Sequence, residues 1–450
     1  MSDATKIHST GRTIALLLLV GLALRLAMGA AFPVENLADD SGFYMRMGQR
    51  IADGYPFMSS RGSTPADAYY LTSVGPVYPT LLAAFFLVLP QAPALVGVRI
   101  AQALLSTLAL WLTYRIGERL FGQQAGLVAL AAMALDPRFI LEAPDVSTET
   151  LFITLQVAGL ALYLAAVHSE RWRGFAWAGV VFGLATLTRP VPLLVPVALA
   201  VHALLADKQR ARLLKGVGLM ALALWAVVVP WVVRNAVVTG GQFIPVSDTA
   251  ASAFWLGSTD SGQYHGQEEF YEARDDDIGE EDFRDKDGRY VSAGLRNILE
   301  QPVQYAGTRL RNVLAAYLQP YGTVNFPGPS VKETASKWLR GDAALGDVVQ
   351  TEGFWPKLVI YGFHYAALGF GLLGLGLSWR RWREVLPLAL MLAYGTAVYT
   401  VLIVLPRYLF PLVPFYWVSA GYGLLWAWAR IVRREAPPHQ APSAPQPDPG

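Results

Sequence analysis

The sequence predicts an all-α polytopic membrane protein, and three observations support this. Of the 450 residues, 54% are hydrophobic and only 16% are charged, against roughly 25% charged in soluble domains. The apolar runs are long and continuous, as in Ile14–Phe32. Runs of this kind fit helices, because a barrel strand alternates apolar and polar residues. Helices and closed barrels are the two structures that satisfy every backbone polar group inside a bilayer. The run 13–32 exceeds a signal-peptide core and lacks a clear small-x-small cleavage site, so it is expected to stay as a span.

Apolar segments lie near 14–33, 73–90, 94–114, 121–135, 147–167, 174–188, 190–205, 214–233, 356–378, 385–404 and 408–429. Basic clusters at 6–12, 115–119, 168–173, 208–215, 380–383 and 430–434 should all be cytoplasmic. That arrangement requires one of the first three segments not to cross. Segment 73–90 is short and carries Pro76, Pro79 and Pro90, so it is expected to lie at the surface or re-enter. The predicted organisation is a cytoplasmic terminus 1–13 and a transmembrane module 14–233 with a first external loop 34–93. An external soluble segment 235–355, C-terminal spans 356–430 and a disordered cytoplasmic tail 431–450 follow. Arginine predominates over lysine, which suits a GC-rich bacterial genome; the expected location is the bacterial cytoplasmic membrane, with the functional face outward.

The net charge of +2 gives no bulk attraction to nucleic acid. The chain has no cysteine, which excludes disulfides and thiolate metal sites, and its six histidines are scattered. No phosphate-binding Gly-rich loop or His-Glu-x-x-His pattern occurs. His265 and His364 are the histidines placed near the outer face. Asp285-Lys-Asp-Gly288 hints at a calcium loop, but Phe283 stands where its first carboxylate should be. The acidic run 268–287 reads as a solvated face.

Asp39 and Asp40 follow the first span. After them Phe43, Met47 and Ile51 recur at helical spacing, with Arg46, Gln49, Arg50 and Asp53 on the polar side. This predicts an interfacial amphipathic helix stopped at Gly54. Asp39, Asp40 or Ser41 could serve as its N-cap, and an acidic group at the outer boundary could equally do chemistry on a lipid-borne substrate. Asp136, Glu142, Asp145 and Glu149 form a second external acidic cluster. Glu149 falls just inside a span, where an ionisable residue is costly; a functional and a structural role are both open to it at this point. Arg189, Arg234 and Arg407 mark outer ends of spans, against the positive-inside bias. Guanidinium groups there suit a lipid phosphate, and they suit snorkelling or ion pairing as well. Arg25, in mid-span, needs an internal partner or a water-filled cavity.

Several stretches together resemble the GT-C glycosyltransferases, which include protein O-mannosyltransferases and bacterial lipid A aminoarabinose transferases. They are Asp40-Ser-Gly-Phe-Tyr44 with Gln49-Arg-Ile-Ala-Asp-Gly54, Gly75-Pro-Val-Tyr-Pro79, Arg119-Leu-Phe-Gly122 and Ser147-Thr-Glu-Thr-Leu-Phe152. Gly183-Leu-Ala-Thr-Leu-Thr-Arg-Pro190, Pro230-Trp-Val-Val-Arg-Asn235 and Arg407-Tyr-Leu-Phe-Pro411 complete the set. The resemblance implies a seven-span module, interfacial helices in the first external loop and an inverting transfer of sugar from a polyprenyl-phosphate donor. The acceptor would be an envelope glycan, lipid or protein. It implies a catalytic Asp40 in an Asp-x-x-x-Tyr pattern with Tyr44, and a second acidic residue at Glu149 or, less directly, Asp145. Asp39, Tyr44, Asp145, Arg189, Arg234 and Arg407 are then expected to help bind substrate. Magnesium or manganese between Asp40 and Glu149 stays open, since some members of the superfamily use a metal and others do not. Gly75 departs from relatives with a lysine there, which moves the donor-phosphate contact elsewhere, for instance to Arg407. A lipid-linked sugar transporter and a non-catalytic envelope assembly factor are the competing classes.

Overall fold

The computed structural model describes residues 3–32, 39–55, 57, 72, 74–206, 209–241, 243–247, 249–259 and 286–435. Among them there is no β-strand. The side chain of Asp39, His265, the acidic run 268–285 and the tail after 435 lie outside the described residues.

Helix α1 (Asp3–Ala31) is followed by α2 (Asp39–Ala52) and α3 (Val77–Phe86). Then come α4 (Gln91–Phe121), α5 (Gln123–Leu135), α6 (Pro137–Glu142), α7 (Glu149–Ser169), α8 (Trp172–Thr188), α9 (Val195–Leu205) and α10 (Arg210–Val238). The segment between α10 and the C-terminal spans supplies α11 (Thr249–Ser258), α12 (Lys286–Glu300), α13 (Pro302–Leu318), α14 (Val331–Leu339) and α15 (Leu345–Gln350). The chain ends in α16 (Phe354–Leu377), α17 (Trp382–Val401), a one-turn helix Pro406–Leu409 and α18 (Val413–Glu435).

Seven helical stretches are long and apolar enough to cross a membrane: those of α1, α4, α7, α10, α16, α17 and α18. The other segments expected to cross form α5, α8 and α9, of 13, 17 and 11 residues. These fall short of the ~20 residues that span the hydrocarbon core. Prolines interrupt two of the underlying apolar runs: Pro137 separates α5 from α6, and Pro190 ends the run of α8. Segment 73–90 yields α3, ten residues long. At 1.5 Å per residue that is roughly 15 Å, half a bilayer core.

Helix α2 shows the amphipathic pattern its sequence predicts, and the chain turns away at Gly54 with φ +86°, a conformation open to glycine. Helix α2 packs on α3, and α3 on α4 and α8. Gly75 is where the first loop meets the end of α8. A Cβ there would stand 2.0 Å from the Leu187 carbonyl oxygen. No lysine fits this position without backbone movement, which gives the departure at Gly75 a physical reason.

The core runs through α4, α5, α7, α8, α10 and α18, with Phe152, Tyr163, Phe182, Phe415 and Trp417 fully buried. Arg25 is buried among them and is internally satisfied. Its Nε donates to Ser106 Oγ at 2.7 Å and its Nη1 to the Gly21 carbonyl at 2.9 Å.

Candidate active site

Four chain breaks converge on one rim: the start of α2, the loop between α6 and α7, the break at Pro190 after α8, and the break before Pro406 after α17. Arg189 precedes Pro190, which disfavours helical backbone at the preceding residue. It leaves α8 extended, with φ −146° and ψ 134°. Arg407 follows Pro406, which opens the one-turn helix at its first position.

Glu149 is the first residue of α7 and 0% exposed. Its Oε1 accepts from Arg189 Nη2 at 2.6 Å and from Arg407 Nε. Arg189 Nε also donates to Thr148 Oγ1 at 2.7 Å. A carboxylate at a helix N-terminus is favoured by the helix dipole, and two guanidinium groups offset its desolvation. Arg407 Nη1 extends the network to Asp40 Oδ2 at 2.5 Å. Asp40, in the first turn of α2, has a side chain 54% exposed. Its carboxylate therefore goes to Arg407 rather than to backbone amides, and the capping alternative does not hold for it. Ser41 likewise donates to Asp145 Oδ1, at 2.8 Å.

Asp145 is a hub of a supporting chain. Its carbonyl accepts from Gln102 Nε2 at 2.7 Å, and Gln102 Oε1 accepts from Tyr78 OH at 2.8 Å. Tyr44 meets Tyr78 edge-on with ring centroids 5.2 Å apart. Tyr44 thus connects α2 to the wall beneath the site. Burial pushes the Tyr44 phenol up, and it pushes the Asp145 carboxyl up against the donation from Ser41.

Glu142, at the end of α6, accepts from Ser147 Oγ and from Tyr321 OH, the latter at 2.8 Å. Burial pushes its carboxyl well above the ordinary range, and Glu149 and Asp145 add to the effect. The folded state then binds more protons than the unfolded state, so stability falls as pH rises from the ordinary carboxylate range through the raised value. Replacing Glu142 by glutamine should flatten that decline. Thermal unfolding of the detergent-solubilised protein across pH checks this, and an unchanged slope would assign the effect to other groups.

Arg234 takes a different position. Its Nη2 donates to the Phe57 carbonyl at 3.1 Å, its Nη1 to Asn235 Oδ1 at 3.0 Å, and its guanidinium lies 4.7 Å from the Trp231 ring centroid. Beneath the rim, Arg138 pairs with Asp136 at 2.6 Å and contacts His364 Nδ1 at 2.8 Å. Trp417 Nε1 donates to Asp136 Oδ2 at 2.9 Å. His364 is thereby engaged in a buried network.

Sequence reasoning missed Gln102, Tyr78 and Tyr321. A lone glutamine inside an apolar span was a signal for the first. Tyr321 carried none, because its partner is 179 positions away.

A divalent metal does not fit between Asp40 and Glu149, because the Arg407 guanidinium bridges them. Among the described residues no three of His, Asp or Glu converge to hold a metal ion.

A family model for dolichyl-phosphate-mannose-protein mannosyltransferases matches residues 73–233. The apo crystal structure of the Archaeoglobus fulgidus oligosaccharyltransferase is similar with a TM-score of 0.56 at 17% identity, over 96% of this chain and 52% of that one. The same organism's AglB, in complex with an inhibitory peptide and a dolichol-phosphate, gives 0.52 at 16%, over 95% and 52%. ArnT from Cupriavidus metallidurans in the apo state gives 0.52 at 15%, over 96% and 63%. The chain thus spans about half the length of the oligosaccharyltransferases it matches. No curated protein matches it. The fold is that of these GT-C membrane proteins. The stretch matched by the mannosyltransferase model runs from the loop before α3 to α10.

Proposed function

We propose that this protein is an inverting glycosyltransferase that moves a sugar from a polyprenyl-phosphate donor to an acceptor hydroxyl on the external face of a bacterial cytoplasmic membrane. One observation supports this most: an exposed carboxylate, Asp40, stands at one arginine of a two-arginine cluster anchored on the buried Glu149. The acceptor hydroxyl attacks the anomeric carbon, the bond from that carbon to the phosphate oxygen breaks, and polyprenyl phosphate leaves. Asp40 takes the hydroxyl proton as general base; its Oδ1 has no hydrogen bond among the described residues. Arg407 and Arg189 receive the phosphate charge that develops on the leaving group. Glu149 has no solvent-facing surface, so its role is to position both arginines. Arg234 supports the first loop rather than the donor. The acceptor is a glycan, lipid or protein of the envelope.

Reconstituted protein supplied with polyprenyl-phosphate sugars should release polyprenyl phosphate and glycosylate an envelope acceptor. Mass spectrometry of envelope glycans with and without the protein identifies that acceptor. If no donor is consumed and the glycans do not change, the reading fails. Arg407→Ala should raise the donor KM roughly tenfold or more, since hydrogen bonds to charged groups contribute about 1.5–3 kcal/mol. An unchanged donor KM would remove Arg407 from the phosphate.

A further inference from the structure

The external helices α12 and α13 carry apolar stripes that no described part of the chain covers. On α12, Val291, Leu295 and Leu299 recur every fourth residue and are exposed, Leu299 by 78%. The opposite side of α12, with Tyr290 and Ala293, is buried against α11. On α13, Val303, Leu310, Leu314 and Leu318 share one face, and Val303 is 85% exposed. Thr308, Arg309 and Ala316 form its buried side. A soluble helix would show the reverse pattern, with leucines inward and polar residues outward.

The position of α13 identifies what meets these stripes. Its last turn is tied to spans. Tyr365 OH donates to the Leu318 carbonyl at 2.8 Å, and His364 Nε2 meets the Tyr317 carbonyl at 2.7 Å. Tyr365 stands about three turns into α16, roughly 16 Å from its start at 1.5 Å per residue. Tyr317 OH pairs with Thr396 Oγ1 of α17 at 2.5 Å. Leu318, 61% exposed, therefore continues the lipid-facing surface that includes the exposed Leu358 and Tyr365 of α16. Trp355, exposed in the first turn of α16, lies where aromatic belts meet the headgroups. Arg311 borders the α13 stripe and Arg296 stands on the exposed polar side of α12, both exposed. An apolar stripe flanked by arginines is the pattern of a helix lying in a membrane interface.

We infer that α12 and α13 lie in the outer leaflet of the bilayer, with their leucine stripes in the acyl boundary. The external segment is thus extramembrane in chain path and interfacial in these two helices. The lipid surface sets the height at which Tyr317 reaches α17 and Tyr321 reaches Glu142. This inference does not depend on the proposed activity.

The chain has no cysteine, so single labels are straightforward to introduce. Leu299→Cys, Val303→Cys and Leu314→Cys, with Glu300→Cys as a control, are each labelled with bimane. The full-length protein is reconstituted in phosphatidylethanolamine–phosphatidylglycerol vesicles. Spin-labelled lipid should quench the three stripe positions several-fold more than the control, and aqueous iodide should show the opposite order. Iodide quenching of the stripe without lipid quenching would place it in water and overturn the inference. Protection from both quenchers would mean that residues 260–285 or a second copy cover it, and would overturn it equally.

Discussion

Asp40→Asn is expected to lower sugar transfer by about 10²–10⁴-fold, the range that a positioned general base supplies, with little change in the melting temperature. The side chain is 54% exposed, so substitution leaves no cavity and no buried charge. Asparagine keeps the shape and can still accept from Arg407, but it cannot take the acceptor proton. The loss should fall on kcat measured at saturating donor, because the phosphate contacts of Arg407 and Arg189 remain. A variant with full turnover would remove Asp40 as the base. A variant that fails to fold would contradict the exposure on which the assignment rests.

The parts of this arrangement legible in sequence were those with local causes. Phe43, Met47 and Ile51 at helical spacing, and Gly54 after them, specify α2 without help from the rest of the chain. Pro190 and Pro406 announce backbone breaks beside Arg189 and Arg407. Arginines at the outer ends of spans, together with two acidic loops on the same face, point to an ion-pair cluster. The pairing within the cluster was not legible. Arg407 lies 258 positions from Glu149 and 367 from Asp40, and charge counting alone cannot choose among the carboxylates. Nor could it show which carboxylate is buried. Glu149 and Asp40 looked alike as catalytic candidates, and only the packing of α7 among its neighbours separates them. The lengths of α5, α8 and α9 were hidden for a related reason. Hydropathy runs on across a proline, whereas the helix does not.

Glu149→Gln should separate positioning from catalysis. Two guanidinium groups share one Glu149 oxygen in a site with no exposure on the glutamate. Removing one partner of a buried ion pair costs about 3–5 kcal/mol, because the remaining charge stays desolvated. The variant should therefore melt at a clearly lower temperature, unlike Asp40→Asn. Its kcat should fall as Arg189 and Arg407 lose their common anchor. Its donor KM should not rise, because the two guanidiniums no longer share their charge with a protein carboxylate and remain available to phosphate. Residual turnover should remain, because Asp40 is still present to take the acceptor proton. If Glu149 itself took that proton, the loss of kcat would equal or exceed that of Asp40→Asn. The combination of lowered stability and a partial loss of kcat is the outcome that a buried anchor requires. Glu149→Gln combined with Arg189→Gln should recover part of the lost stability, since one uncompensated cation is then removed, but none of the activity.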